Sequence, residues 1–193
     1  NLIVYDATCP LVTKVHLEAK RYAKEGYYII YVGHKNHPEA VGVMGEVHKD
    51  SIILIGSLLE AKKLHIPSGK KAIILTQTTL SMDDTKQIVE KIQKKYPHVI
   101  LPPAFDICYA TQNRQNAVKE LAKKVEIIFV VGSKTSSNSN KLRDTAIKQG
   151  VKAYLIDDKT GIDLKWLNDI SVVGITAGAS APEKLVEDLI YFL

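Results

Sequence analysis

The 193-residue chain is 46% hydrophobic and 24% charged, enough to bury a core in one domain or two small ones. Its longest apolar runs, such as Tyr27–Val32, fall far short of the roughly 20 residues of a membrane span, and no secretory leader pattern is visible, so no membrane partner is expected. A net charge of +5 suits an anionic ligand, an acidic partner or nucleic acid, but basic runs interleaved with aromatics are missing and nucleic-acid binding is not expected.

The chain opens on Asn1 rather than Met and runs at once into a strand-like stretch, Leu2–Tyr5, so an upstream portion is expected. Further β-branched runs bounded by turn residues read as strands at Tyr27–Gly33, Ser51–Ile55, Ala72–Thr76, Val99–Leu101, Glu126–Gly132, Lys152–Ile156 and Ser171–Thr176. Helical periodicity fills the gaps, most clearly over Met82–Tyr96, Asn113–Lys124 and Asn138–Gln149. The lysine pairs at 62–63, 94–95 and 123–124 fall near predicted helix ends, where cations complement the helix dipole.

Sliding the chain by 99 residues superimposes Leu2 on Leu101, Cys9 on Cys108, Gly33 on Gly132, Lys35 on Lys134 and Ser81 on Ser180. Predicted strands then coincide. The fold class is therefore α/β with two pseudo-repeated units, residues 1–98 and 99–193, each a four-stranded, mostly parallel sheet flanked by helices. Cys9, Cys108 and the polar loops after Gly33 and Gly132 are expected between strand ends and helix starts, where such sheets bind ligands.

Two cysteines so far apart form no disulfide scaffold, and a reducing cytoplasmic or plastid-like compartment is expected. Cys9, in DATCPLVTKVH, precedes Pro10 at a predicted first helical turn, and Cys108 repeats the arrangement in FDICYATQNRQ. A thiol at a helix N-terminus is readily ionised and metallated, although free cysteine is also a common buried packing residue. The loop GHKNHPEAVG offers His37 and Glu39, a hydrogen-bond donor beside a proton donor. Its counterpart, SKTSSNSNKLR, crowds Ser136, Ser137, Asn138, Ser139 and Asn140 at a helix start, more donors than a cap requires and suited to cradling phosphate. TQTTLS holds Thr78 and Thr79, and TAGASAPE holds Ser180 in a turn of small residues that a ligand could approach closely.

Two other readings use the same residues. Cys108 and Arg114 enclose five residues, the spacing of cysteine-dependent phosphatases, but Tyr109 to Asn113 contains no glycine for a phosphate nest. A non-redox module binding phosphate, or zinc through Cys9, Cys108 and His37, is the second alternative.

Taken in order, DATCPLVTKVH, GHKNHPEAVG, TQTTLS, FDICYATQNRQ, GSKTSSNSNKLR and TAGASAPE resemble the motifs of the 4-hydroxy-3-methylbut-2-enyl diphosphate reductases, iron–sulfur enzymes of the non-mevalonate isoprenoid pathway. The resemblance spans Asp6 to Glu183 and implies two thirds of a three-unit trefoil, the N-terminal unit being the absent one. It implies that Cys9 and Cys108 ligate a four-iron four-sulfur cluster whose third cysteine lies in that unit. Ser136, Ser137, Asn138 and Ser180 would hold the diphosphate with help from His37, Thr79 would also bind substrate, Glu39 would deliver the proton, and Thr78 would relay it. Thr135 stands where the family commonly has Asn, and Val43 where it has Thr. The implied reaction is reductive dehydroxylation to isopentenyl and dimethylallyl diphosphate with electrons from ferredoxin or flavodoxin. The 193-residue chain alone is expected to be inactive.

Overall fold

A parallel strand covered on both faces needs a nearly continuous apolar, β-branched run, and the sequence supplies several. In the computed structural model, which describes residues 2–6, 8–101 and 106–193, these runs form two sheets of three parallel strands. The chain divides into two compact units, residues 1–108 and 109–193. In the first, β1 (Tyr28–Val32) lies between β2 (Ile52–Ile55) and β3 (Ala72–Thr76). In the second, β4 (Ile127–Val131) lies between β5 (Lys152–Ile156) and β6 (Val173–Ala177). The two sheets thus share one topology, with the first strand central.

The helices complete the repeat. The first unit carries α1 (Pro10–Lys24), α2 (Pro38–Gly45), α3 (Leu58–Lys63) and α4 (Met82–Lys95), and the second carries α5 (Tyr109–Ala122), α6 (Ser137–Lys148) and α7 (Glu183–Phe192). Successive side chains of a strand face opposite ways. Ile29 and Tyr31 of β1 accordingly pack with Val15 and Ala19 of α1 and Ala40 and Val43 of α2, whereas Ile30 and Val32 pack with Ala61 of α3 and Ile88, Val89 and Ile92 of α4. In the second unit Ile128 and Val130 meet α5 and α6, while Ile127, Phe129 and Val131 meet Leu189 of α7. Helix polarity follows charge as expected: α4 is capped by the Ser81 hydroxyl, starts with Asp83 and Asp84 and ends with Lys94 and Lys95.

This layering positions the functional loops. The helices that follow β1 and β3 lie on opposite faces of the first sheet, and so do those that follow β4 and β6 on the second. Each sheet therefore opens a crevice between the carboxyl ends of its central strand and one neighbour, the usual ligand position in open α/β sheets.

The sheets correct part of the sequence reading. Among the described residues each has three strands rather than four. Leu2–Tyr5 is irregular and almost fully exposed, and Val99–Leu101 shrinks to Ile100, bridged in parallel to Ile73. A strand is made by its neighbour's hydrogen bonds, and Leu2–Tyr5 is in no ladder among the described residues. Among the described residues, Cys9 and Cys108 consequently precede helices but follow no regular strand. Ile100 exchanges backbone hydrogen bonds with Ala72 and Ile74, and Val99 and Ile107 enter the first core, which takes the segment up to Cys108 into the first unit. No helix among the described residues is long and apolar enough to cross a membrane.

Because Ile30 is fully buried at the centre of the first sheet, Ile30→Ala should cost about 2–5 kcal/mol. The loss is measured by urea denaturation, and the exposed Val41→Ala, on the same unit, should change stability by less than about 0.5 kcal/mol.

Candidate functional site

The first crevice is built around a buried carboxyl. Glu39 is the second residue of α2, set in place by His37, whose Nδ1 accepts the Glu39 backbone N–H at 3.2 Å as the helix cap. The Glu39 side chain turns inward, 8% exposed, and takes three hydrogen bonds. Thr78 donates its backbone N–H to Oε1 at 2.7 Å and its hydroxyl to Oε2 at 3.0 Å, and the Tyr31 hydroxyl donates to Oε1 at 3.4 Å. Glu39 thus fastens the loop after β1 to the loop after β3.

Burial raises the Glu39 pKa above that of an ordinary glutamate, and the bonds from Thr78 and Tyr31 and the nearby His16 offset this only in part. Burial and the adjacent Glu39 hold the Tyr31 phenol well above its usual range, so it remains an O–H donor. Burial and then the neighbouring His34 push His37 down, favouring neutral imidazole. With Nδ1 accepting the cap bond, the His37 proton resides on Nε2, the outward nitrogen. Gln77 completes the wall: Oε1 accepts the His34 N–H and Nε2 donates to the Thr79 hydroxyl, each at 2.9 Å.

Both thiols belong to this unit and neither is in a disulfide. Cys9 is exposed at the cap position of α1, with Pro10 next. Cys108 is partly buried and donates its backbone N–H to the Thr78 carbonyl at 2.9 Å, so it is anchored to the same loop that grips Glu39. Two free thiols at helix starts suit a thiophilic metal or iron–sulfur group. Among the described residues, no three histidine, cysteine or carboxylate side chains form a ligand set, so these thiols are part of a set at most. The phosphatase spacing leads elsewhere, because α5 already begins at Tyr109 and Arg114 lies within that helix, donating to the Ala177 carbonyl at 3.3 Å. A helix has no cradle for phosphate between the two.

The second crevice carries hydroxyls and amides. Ser136 caps α6, its Oγ accepting both the Ser139 N–H at 3.2 Å and the Ser139 hydroxyl at 3.0 Å. Asn138, 8% exposed, has neither its carboxamide oxygen nor its nitrogen paired within the protein. Such a group is costly to bury and well disposed to a ligand that can pair with it. Its Nδ2 lies 3.6 Å from where a Cβ on Gly178 would stand, which puts Asn138 against the turn that leaves β6 and holds the exposed Ser180. A Cβ on either Gly132 or Gly178 would collide with the Ser139 hydroxyl, so glycine at both strand ends is what allows the serine-rich turn to sit so close. Ser137 is partly buried at the first position of α6.

The structure therefore groups His37, Glu39, Thr78, Thr79 and Cys108 in one crevice, and Ser136, Ser137, Asn138 and Ser180 about the other. Sequence reasoning overlooked Tyr31, Gln77 and Asp106, and gave Ser139 no specific role. Gln77 could have been noticed as a polar residue closing an apolar strand, and Ser139 by its spacing of three from the cap.

The family model described as LytB protein matches residues 1–193. The 4-hydroxy-3-methylbut-2-enyl diphosphate reductase of Anaplasma marginale (strain St. Maries) is 52% identical over 193 residues, covering 100% of this chain and 56% of the relative. The protein of the same name from Wigglesworthia glossinidia brevipalpis is 50% identical over 195 residues, covering 100% of this chain and 62% of the relative. A solved structure of the E-1-hydroxy-2-methyl-but-2-enyl-4-diphosphate reductase from Plasmodium falciparum superposes with a TM-score of 0.93 at 39% identity, over 97% of this chain and 59% of that one. The chain thus spans little more than half the length of these relatives.

The raised Glu39 pKa has a definite consequence for stability. The folded state holds this proton more tightly than the unfolded state, so the stabilisation is complete below the ordinary glutamate range and is lost as pH rises through the raised value. Glu39→Gln keeps the shape, and its amide can still accept from the Thr78 N–H and donate to the Thr78 hydroxyl. The stability of Glu39→Gln relative to wild type should climb from acid to neutral pH in urea denaturation. Parallel profiles for the two proteins would contradict the raised pKa.

Proposed function

The chain belongs to the LytB family along its whole length, and from that premise we propose that it is part of an iron–sulfur oxidoreductase acting on 4-hydroxy-3-methylbut-2-enyl diphosphate. The observation that carries the reading is the buried Glu39 carboxyl, gripped through both oxygens by Thr78, the residue whose carbonyl also anchors Cys108. A proton donor on the same loop as a proposed ligand of an electron-supplying cluster is an arrangement that suits a reductive dehydroxylation.

The reaction removes a hydroxyl: the alcohol takes up two electrons and two protons, the C–O bond breaks, and water leaves with a C–H bond in its place. Cys9 and Cys108 would hold the four-iron four-sulfur cluster with a third thiolate from the part of the protein outside this chain. When bound, that cluster supplies the electrons and a Lewis-acidic iron. The protein's own task is the proton. Glu39, its pKa raised by burial, would donate to the departing oxygen, and the Thr78 hydroxyl, which can both donate and accept, would pass a proton back to it. The neutral His37 presents Nε2–H as a donor to the substrate, and Thr79 adds a hydroxyl fixed by Gln77.

The diphosphate would be held by the second unit's own crevice. Ser136, Ser137 and Ser180 offer hydroxyls, the first turn of α6 offers N–H groups of the kind that bind anions, and the unpaired Asn138 Nδ2 gains its missing acceptor. Product would be the two allylic and homoallylic isomers, isopentenyl and dimethylallyl diphosphate, with ferredoxin or flavodoxin delivering single electrons. Free thiols and bacterial relatives support a cytoplasmic location. The 193-residue chain by itself, with two cysteine ligands, should neither hold a complete cluster nor turn over.

The test uses a protein of the relatives' full length carrying this sequence, reconstituted anaerobically with iron and sulfide. Wild type should show broad absorption near ~400 nm and turn over the substrate. Glu39→Gln should keep the absorption and lose about 10²- to 10⁴-fold in turnover. Cys108→Ser should lose the absorption. A colourless protein that retains zinc would overturn the redox reading in favour of a zinc-binding module.

A further inference from the structure

Asp106 is a fully enclosed carboxylate that the chemistry above does not use. Its Oδ1 accepts from the Lys14 ammonium at 2.9 Å, and its Oδ2 from the Thr76 backbone N–H, the last of β3, at 3.4 Å. Lys14 stands five residues after Cys9, and Asp106 two before Cys108. The same ammonium lies 3.6 Å from Glu18, one turn further along α1, whose second oxygen is buried and unpaired. One partly exposed lysine thus answers two carboxylates, and it bridges the helix that starts at one thiol to the segment that ends at the other.

We propose that the Lys14–Asp106 ion pair is a positioning clasp that fixes the Cys9 end of α1 against the Cys108 segment at the carboxyl end of β3. The proposal rests on the reading of both cysteines as ligands of one cluster. Packing does not do this alone. The described residues before Cys9 are irregular and exposed, and the first fully buried side chain of α1 is Val15, so the turn that carries Cys9 precedes the helix's apolar anchor. Lys14, just over one turn after Cys9 and beside Val15, adds a charged tether that reaches a carboxylate bonded by the β3 backbone. Cys108 has its own tether through Thr78, so Asp106 is the link that refers one thiol to the other. The ligand pair is preorganised by this charge pair together with the apolar contact of the adjacent Val15. Such supporting contacts orient metal ligands and affect affinity strongly.

The chain has two cysteines, so nitroxide labels on both report their separation directly by double electron–electron resonance in the 193-residue protein. Wild type should give one narrow distance distribution. Lys14→Met and Asp106→Asn should each broaden it while circular dichroism stays native, and Lys14→Arg, which keeps the charge, should restore the narrow form. A distribution unchanged in Lys14→Met and Asp106→Asn, with only a lower urea midpoint, would mean that the pair is ordinary stabilisation and would overturn the proposal. Should Lys14→Met fail to fold, Asp106→Asn against Lys14→Arg makes the same comparison. In the full-length reconstituted protein, Lys14→Met should lose iron to a chelator about 10-fold faster than wild type or Lys14→Arg. Equal rates would overturn the clasp. If wild type binds no iron at all, the ligand reading fails while the distance measurement still decides whether Lys14 and Asp106 fix the two segments.

Discussion

Everything in the first unit is arranged by the burial of one carboxyl. Glu39 could face solvent from the first turn of α2, where an acidic residue is already favourable. It turns inward instead, and the cost of desolvating it is met by Thr78 and Tyr31. Those bonds come from the ends of β3 and β1, so the crevice geometry and the protonation of Glu39 are one fact. A change that loosened the loop after β3 would release the carboxyl.

The sheet explains why the chemistry collects there. β1 and β4 are buried along nearly their whole length on both faces, which leaves no side chain of a central strand for a ligand except at its end. Parallel pairing sends all three strand ends of each unit to one edge, and helices on opposite faces keep that edge open. Glycine at 132 and 178 then lets the serine-rich turn approach, as the Ser139 hydroxyl fills the space a side chain would take.

Much of this was legible in the sequence because it is local. Central strands announce themselves by runs such as IIFVV, helix starts by Pro10, Ser81 and Ser136, and the 99-residue repeat by matched starts of β1 at Tyr28 and β4 at Ile127. What was not legible is pairing across the chain. Leu2–Tyr5 has the composition of a strand, but composition does not supply a neighbour. Glu39 and Thr78 were each noticed as loop residues, yet nothing local says that two residues 39 apart share two hydrogen bonds. Lys14 and Asp106, 92 apart, gave no signal at all, since each taken singly reads as a solvated charge.

The two units show how one topology can be furnished for two kinds of work. Equivalent crevices between the central strand and its β3-type neighbour hold, in the first unit, a buried carboxyl of raised pKa with the Cys108 backbone anchored to the same loop, and in the second, hydroxyls with an unpaired amide. Burial in the first favours the neutral form of an acid, against the pull of the three donors on it. The second offers neutral donors at a helix start, which favours an anion and would press an acid to ionise. At the 99-residue offset Glu39 falls on Asn138 and the cap His37 on the cap Ser136, so one backbone position carries a buried acid in the first unit and a buried neutral amide in the second.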